Sequence, residues 1–360
     1  MSQFSGFVDE IKGIAVDSFL PDNASSCTAY FLSHCHADHM RGLNEVSFSA
    51  HIASKADHFI YCSEVSAQIL KNLMRDNESV LAKIQTLTLG PNLVQVPILD
   101  SDYQLDLVVT LIPAGHCLGS CMFLFETGEK TILYTGDFRF NPSDYSKISF
   151  LHTNGEPREL DAMYLDTTFW TQANQHFPSR HESLNLIITE IDKFRKRTAD
   201  RGHVHIDKPA KIGSEFLIME LAKRYRKKVH VSSDCFNLYD GIQELTSCIT
   251  RESGETFLHM CQSYRPGKGR RRLPCVQDYI HVLYIRPSAQ WYSVGGEFFP
   301  VREHKGINLV QISHSMHSSR AELIAFVKYF KPKKVVPCVV PVNATMEQVQ
   351  EEIDAVLVDG

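Results

Sequence analysis

His34-Cys35-His36-Ala37-Asp38-His39 packs three imidazoles and a carboxylate into six positions, directly after the apolar run Thr28-Ala29-Tyr30-Phe31-Leu32. A strand that runs into a ligand-dense loop presents His34 and His36 on one side by period-two alternation, and turns Asp38 and His39 toward a second position nearby. Imidazole and carboxylate are the donors that zinc and similar divalent ions take, so the loop reads as a metal site. Four ligands from one loop suggest two adjacent metals. With 17 histidines in 360 residues, chance clustering is a poor rival to ligation.

Further ligands stand at comparable strand ends. His116 lies in Pro113-Ala114-Gly115-His116-Cys117-Leu118-Gly119-Ser120, after the run Leu107 to Ile112, and Asp137 lies in Tyr134-Thr135-Gly136-Asp137-Phe138-Arg139, after Thr131-Ile132-Leu133. Each closes an apolar run where glycine lets the chain turn, so both can reach one pole of a sheet.

With these residues the chain resembles the metallo-β-lactamase superfamily. The resemblance runs through Asp17 after Ile14-Ala15-Val16, the block from His34 to His39, His116 and Asp137. It implies an αββα sandwich with metals at its edge. His34, His36 and His116 would hold the first, Asp38 and His39 the second, and Asp137 would be shared. Asp17 would orient the ligands from behind, as metal-bound imidazoles generally require.

At 360 residues the chain exceeds the usual size of one core, so two domains are expected. Ten cysteines are scattered without a small-domain disulfide spacing, no apolar signal opens the chain, and no apolar stretch approaches the ~20 residues of a membrane helix. A reduced, soluble, intracellular monomer is the expectation. The net charge is −5, yet residues 167–306 carry 22 Lys and Arg against 15 Asp and Glu, an excess of +7 that leaves −12 elsewhere. This basic middle interrupts the pattern. After it come a strand Ile307-Asn308-Leu309-Val310-Gln311-Ile312, a helix from Ser319, a strand Lys334-Val335-Val336 and a helix from Met346, which read as the second half of the sandwich. The expected division is therefore a metallo-β-lactamase domain over residues 1–166 and 307–360, with an insert over 167–306.

Inside the insert, Ser179 and Glu182 form a capping box opening a helix through about Arg197, whose Lys193, Arg195, Lys196 and Arg197 give a cationic end. A strand Val204-His205-Ile206, a helix from about Ser214 to Lys227 and a strand Val229-His230-Val231 continue as a small α/β unit. A basic domain beside a hydrolytic metal site suits a polyanionic substrate.

A basic α/β insert in this sandwich resembles the β-CASP nucleases. Asp166, in Tyr164-Leu165-Asp166-Thr167-Thr168-Phe169, matches their first β-CASP motif, and His317, in His317-Ser318-Ser319, matches the second, with His314 as a competing imidazole. The third motif is a histidine in RNA-processing members and a valine in DNA-acting ones. Here Val335-Val336-Pro337-Cys338-Val339-Val340 holds no histidine, which favours the DNA branch. Within that branch a second zinc site separates the end-joining nucleases from the crosslink-repair exonucleases. His230, His259-Met260-Cys261 and Cys275 reproduce its His-His-Cys-Cys pattern, a donor set suited to a closed structural zinc. The loop between Cys261 and Cys275 carries Lys268, Arg270, Arg271 and Arg272, read either as a phosphate or import contact or as a solvated loop.

The resemblance implies a metal-dependent DNA nuclease, a 5′-to-3′ exonuclease or a structure-specific endonuclease on hairpins and overhangs, acting in double-strand-break repair by end joining in the nucleus. Its metals would be zinc, with magnesium or manganese supporting activity. Its partners would be single-stranded, overhanging or hairpin DNA, a DNA-dependent protein kinase and end-joining factors. Asp38, Asp137, Asp166 and His317 would carry the chemistry: His317 as general acid with Asp166 holding its tautomer, and Ser318 and Ser319 cradling a phosphate at a helix start capped by Ser319 and Glu322. With no third-motif histidine the second metal position should be the weaker. Alternatives are a crosslink or telomere-end 5′ exonuclease, an RNA-processing endonuclease of the same fold, and a small-molecule thioester or lactone hydrolase, which would need neither the insert nor the Asp166 and His317 motifs. Two positions depart from the pattern. Ala37 stands for a basic residue and Arg320 for a neutral one, which bears on the path of DNA beside the metals. The chain ends at Gly360, where such nucleases continue into a regulatory tail.

Overall fold

The computed structural model describes residues 4–208, 210–264, 271–276, 281–289, 293–294, 297–304 and 308–358. Its contacts divide the chain into two compact units, Met1–Gln175 with His317–Gly360, and His176–Met316.

In the first unit, the strands Ile14–Val16, Ala29–Leu32, Phe59–Ser63 and Ile84–Leu87 form a parallel four-stranded sheet in that order. A second sheet runs in the order Val335–Pro337, Ala162–Leu165, Thr131–Tyr134, Cys121–Glu126, Gln104–Pro113, Gly90–Pro97. Its first three strands are parallel and the rest antiparallel. Period-two alternation decides what each face packs against. Phe123, Phe125, Val109 and Leu111 face the core shared with Val16 and Phe31 of the other sheet. Met122, Leu124, Leu133 and Leu165 face a helical layer, the helices Arg320–Phe330 and Met346–Val358, which contribute Leu323, Phe326, Val327, Val349 and Ile353. Across the four-stranded sheet, Tyr30 meets Phe48 of the helix Val46–Ala53 at 5.2 Å between ring centroids. The layers are thus αββα, as the resemblance implied. Phe123 and Phe125 are fully buried, and truncating either to alanine would cost about 3–5 kcal/mol.

The second unit is built on a seven-stranded sheet, ordered Ile249–Thr250, Val229–His230, Leu258–His259, His203–Ile206, Val282–Ser288, Leu309–Ser313, Val301–His304. Only the last pairing is antiparallel. Its long helix Arg180–Arg197 starts as expected: the Ser179 hydroxyl accepts from the Glu182 amide at 3.2 Å and the Ser179 amide donates to the Glu182 carboxylate at 2.7 Å. A shorter helix spans Glu215–Tyr225.

One strand is a correction. The run beginning at Ile307 was expected in the sandwich, but Leu309–Ser313 pairs in parallel with Val282–Ser288 inside the insert's sheet. Val310 and Ile312 are buried there, and an apolar strand satisfies its burial against either sheet. The second unit accordingly runs to Met316, past the expected end at 306. Ile307 itself lies outside the described residues.

Among the described residues no helix is long and apolar enough to cross a membrane. None of the ten cysteines is in a disulfide.

Candidate metal centre

Asp17 fixes the pole of the sandwich. It follows the strand Ile14–Val16 in the left-handed region, at φ 53°, and is buried. Its carboxylate accepts from the Ser33 amide at 2.7 Å, the Ser33 hydroxyl at 2.5 Å, the Tyr134 hydroxyl at 2.9 Å and His39 Nδ1 at 2.7 Å. A carboxylate that only accepts makes the Ser33 hydroxyl a donor, so that the hydroxyl oxygen receives the proton of His34 Nδ1 at 2.9 Å. The His34 Nε2 lone pair is then aimed at the cluster, and His39 Nε2 is likewise turned to Asp137 Oδ1 at 3.3 Å. Gly136, at φ +51°, permits the approach, since a Cβ there would lie 2.9 Å from Ser33.

The donor atoms of His34, His36, His116 and Asp137 all lie within 4.8 Å of one another. His36 Nδ1 is 3.0 Å from His34 Nε2 and 3.1 Å from His116 Nε2, while Asp137 Oδ2 is 3.5 and 3.6 Å from the same two nitrogens. An ion with zinc-like bonds of about 2.0–2.1 Å in a tetrahedron spaces its donors by about 3.3–3.4 Å. A proton on His36 Nδ1 would satisfy only one neighbour, whereas a divalent cation satisfies all four donors. The donor set therefore fits a metal. Burial, then the charge of His39, pushes His34 below the ordinary imidazole range, and burial followed by His317 does the same to His116. Both are neutral donors. Burial would raise Asp137, but His39 and His317 outweigh it and hold the carboxyl well below its usual range.

Of the second position, His39 and Asp137 come together. Asp38, half-buried on the turn where the His39 amide donates to the His36 carbonyl at 3.0 Å, joins none of the donor groupings among the described residues. Beside the cluster, His317 is the imidazole that arrives. Its Nδ1 is 2.8 Å from Asp166 Oδ2 and its Nε2 3.9 Å from Asp137 Oδ2. Burial opposes its charge, but Asp166 and Asp137 prevail and hold His317 up at about 9. Asp166 is itself fixed, its amide donating to the Thr135 hydroxyl at 3.0 Å and its Oδ1 accepting from Thr168 at 2.6 and 3.0 Å.

Ser318 and Ser319 do not offer the expected phosphate cradle. The Ser318 amide and hydroxyl both donate to the Phe138 carbonyl at 3.1 Å, and the Ser319 amide donates to Glu322 at 2.6 Å. Both residues are buried. Their amides hold loops together instead. Arg320, one of the departures, donates to Glu352 at 2.9 Å and Gln175 at 3.3 Å, with its guanidinium 5.9 Å from the Trp170 ring. Ala37 is exposed.

In the insert, His230, His259, Cys261 and Cys275 converge within the same 4.8 Å limit. His230 Nδ1 is 3.1 Å from His259 Nδ1, Cys275 Sγ is 3.4 Å from His259 Nδ1, and the two sulfurs are 3.4 Å apart. Two thiols with two imidazoles and no carboxylate suit a closed zinc site. Cys261 next to it draws Cys275 below the ordinary thiol range. His203 Nδ1 lies 2.7 Å from His259 Nε2, the outer contact that fixes which His259 nitrogen faces the cluster. Of the basic loop, Arg271 is engaged on Asp207 at 2.9 Å, together with Arg286 at 2.9 Å. Lys268 and Arg270 lie outside the described residues.

Sequence reasoning missed Ser33, Tyr134 and His203. Ser33 carried a positional signal, standing between the strand and His34. Tyr134 reads as core and His203 as a strand residue, and only the fold turns their polar atoms inward.

Fold and site together define an αββα sandwich with a donor cluster suited to a metal, and an α/β insert within its chain. The DNA repair metallo-beta-lactamase family model matches residues 243–343, and the anti-Pycsar protein Apyc1 model matches residues 21–193. Protein artemis of Rattus norvegicus is 31% identical over 364 residues, covering 98% of this chain and 51% of the relative. Protein artemis of Gallus gallus is 33% identical over 365 residues, covering 98% and 49%. DNA cross-link repair 1A protein of Mus musculus is 29% identical over 339 residues, covering 91% and 30%. A protein of unknown function from Enterococcus faecalis V583 shares the fold, with a TM-score of 0.54 at 15% identity over 86% of this chain and 75% of that one. The chain is an Artemis-like member of the metallo-β-lactamase/β-CASP family. It spans about half the length of the artemis relatives it matches.

Proposed function

We propose that the chain is a metal-dependent DNA nuclease that hydrolyses phosphodiester bonds in double-strand-break repair by end joining, and that it works in the nucleus. The observation that carries this is the juxtaposition of two devices at Asp137: a four-donor metal cluster and a His317–Asp166 pair, 3.9 Å from the same carboxylate. The likeness to proteins named artemis and to DNA cross-link repair 1A supports DNA as substrate and repair as context.

His34, His36, His116 and Asp137 would hold the first metal, His39 and Asp38 with Asp137 a second, weaker one. Zinc suits the imidazoles, with magnesium or manganese as alternatives for activity. When bound, the metal supplies the charge that acidifies a water and draws in the non-bridging oxygens of the phosphate. Asp17 and Ser33 keep the imidazoles in the ligating tautomer. His317, protonated and held by Asp166 through Nδ1, gives its Nε2 proton to the departing 3′-oxygen. The bond broken is between phosphorus and that oxygen, leaving a 3′-hydroxyl and a 5′-phosphate. The insert's basic excess would attract the polyanion, its His230, His259, Cys261 and Cys275 would hold a structural zinc, and a DNA-dependent protein kinase with end-joining factors would be its partners.

The test is a substrate panel with purified protein: 5′-phosphorylated single-stranded DNA, hairpin DNA, RNA and a generic ester, each with and without chelator. Chelator-sensitive cleavage confined to DNA is the expected result. Preferential RNA cleavage, or ester turnover without nuclease activity, would overturn it.

A further inference from the structure

Arg139 lies two residues past Asp137, its side chain only 3% exposed, too deep to touch a substrate. Its Nη2 donates to Glu322 Oε1 at 3.1 Å, and its Nε stands 3.3 Å from both carboxylate oxygens. Glu322 belongs to the helix Arg320–Phe330. As the third residue of its helix, it accepts the Ser319 amide at 2.6 Å and so shapes the turn that carries His317. Three more bonds tie the neighbouring segments: the Arg139 amide donates to the Ala114 carbonyl at 3.0 Å, two residues before His116, and Ser318 donates twice to the Phe138 carbonyl. Tyr145 holds the Glu322 carbonyl at 2.8 Å. The chain segments bearing His116, Asp137 and His317 thus meet around one ion pair, buried on the Arg139 side and half-buried at Glu322.

A helix start needs no buried arginine, since the Ser319–Glu322 box is complete without it. Nor is a buried ion pair an efficient source of stability, for an apolar pair of similar volume serves as well or better. What a charge-paired fork does provide is direction, because guanidinium and carboxylate meet in one plane with fixed spacing.

We propose that Arg139 and Glu322 are positioning residues for the reaction. They lock the proton-donating loop of His317 in register with the metal-ligand loop of Asp137. This rests on the reading of His317 as general acid. Loss of the pair lets His317 drift from the departing oxygen while the four-donor cluster stays whole.

The discriminating variant is Glu322→Gln. The glutamine oxygen can still accept the Ser319 amide, so the cap survives while the ion pair between Arg139 and position 322 is lost. Steady-state cleavage, zinc content and a 3′-bridging phosphorothiolate substrate, whose leaving group needs little protonation, are measured for the parent, Glu322→Gln, His317→Ala and the double variant. The expected result is a kcat lowered by roughly ten- to a hundredfold, less than the roughly 10² to 10⁴ of a lost general acid because His317 is displaced and not removed, with KM and zinc content nearly unchanged. Much of that loss should be recovered on the phosphorothiolate, and the double variant should be little worse than His317→Ala, because both changes disable one step. If Glu322→Gln fails to fold, Arg139→Lys is read in the same way, its single ammonium keeping the charge without the fork. Parental kcat, equal defects on both substrates, or defects that multiply in the double variant would each overturn the proposal. Where the parent cleaves DNA and His317→Ala is rescued by the phosphorothiolate, such an outcome removes the positioning pair and leaves the nuclease reading standing.

Discussion

At the scale of single residues, the site is a problem in aiming lone pairs. An imidazole offers a metal one nitrogen, and the other must be occupied by a donor–acceptor contact that fixes the tautomer. His34 meets this through Ser33 and Asp17, and His259 through His203. The ligand types were legible in the chain because histidine at period two after an apolar strand has few other uses. Their supports were not, because Ser33 and Tyr134 gain meaning only when Asp17 turns back at positive φ. Ser318 and Ser319 misled for a related reason: a capping sequence announces a helix start, and nothing local tells whether its amides meet a phosphate or a neighbouring carbonyl. The residue-scale prediction concerns His317. His317→Ala should slow cleavage by roughly 10² to 10⁴, the usual loss for a general acid, with zinc content unchanged. A 3′-bridging phosphorothiolate substrate should recover much of the loss. An equal defect on both substrates would make His317 a ligand or a DNA-positioning group instead.

At the scale of elements, capping boxes and alternation were readable. The helices Arg180–Arg197 and Arg320–Phe330 start where Ser179 and Ser319 say they should. The destination of Leu309–Ser313 was not readable, because its buried residues satisfy burial against any apolar sheet and partner choice is a tertiary matter. The basic loop after Cys261 posed the same difficulty, since the carboxylate that engages Arg271 comes from Asp207, distant in the chain. The donor set to which the two cysteines flanking this loop in sequence belong gives the element-scale prediction. Structural zinc binding is worth on the order of 10 kcal/mol in small domains, and part of that would stabilise the insert. Cys261→Ala and Cys275→Ala should each bind a zinc ion fewer per chain and melt earlier, while correctly folded material still cuts DNA. Unchanged zinc content and melting temperature in both variants would remove the structural site.

At the scale of the whole molecule, the chain divides its labour along its charge. Residues 167–306 carry an excess of +7 and the remainder −12, so the carboxylates that ligate and orient are concentrated in one unit and the cations in the other. Several of those cations are paired locally, Arg195 with Asp200 at 2.8 Å and Arg224 with Asp192 at 3.3 Å. Attraction for a polyanion would therefore come from the remaining net excess, and cleavage at low substrate concentration should weaken steeply as salt rises. A rate insensitive to salt would argue that the insert does not gather DNA. The proposed phosphodiester hydrolysis would depend on the donors that converge with Asp137, and Asp137→Ala tests that dependence most directly. The purified variant, with parental circular dichroism and melting behaviour, should show no cleavage of 5′-phosphorylated single-stranded or hairpin DNA above the background of a mock preparation. Cleavage within a few-fold of the parent would contradict the account.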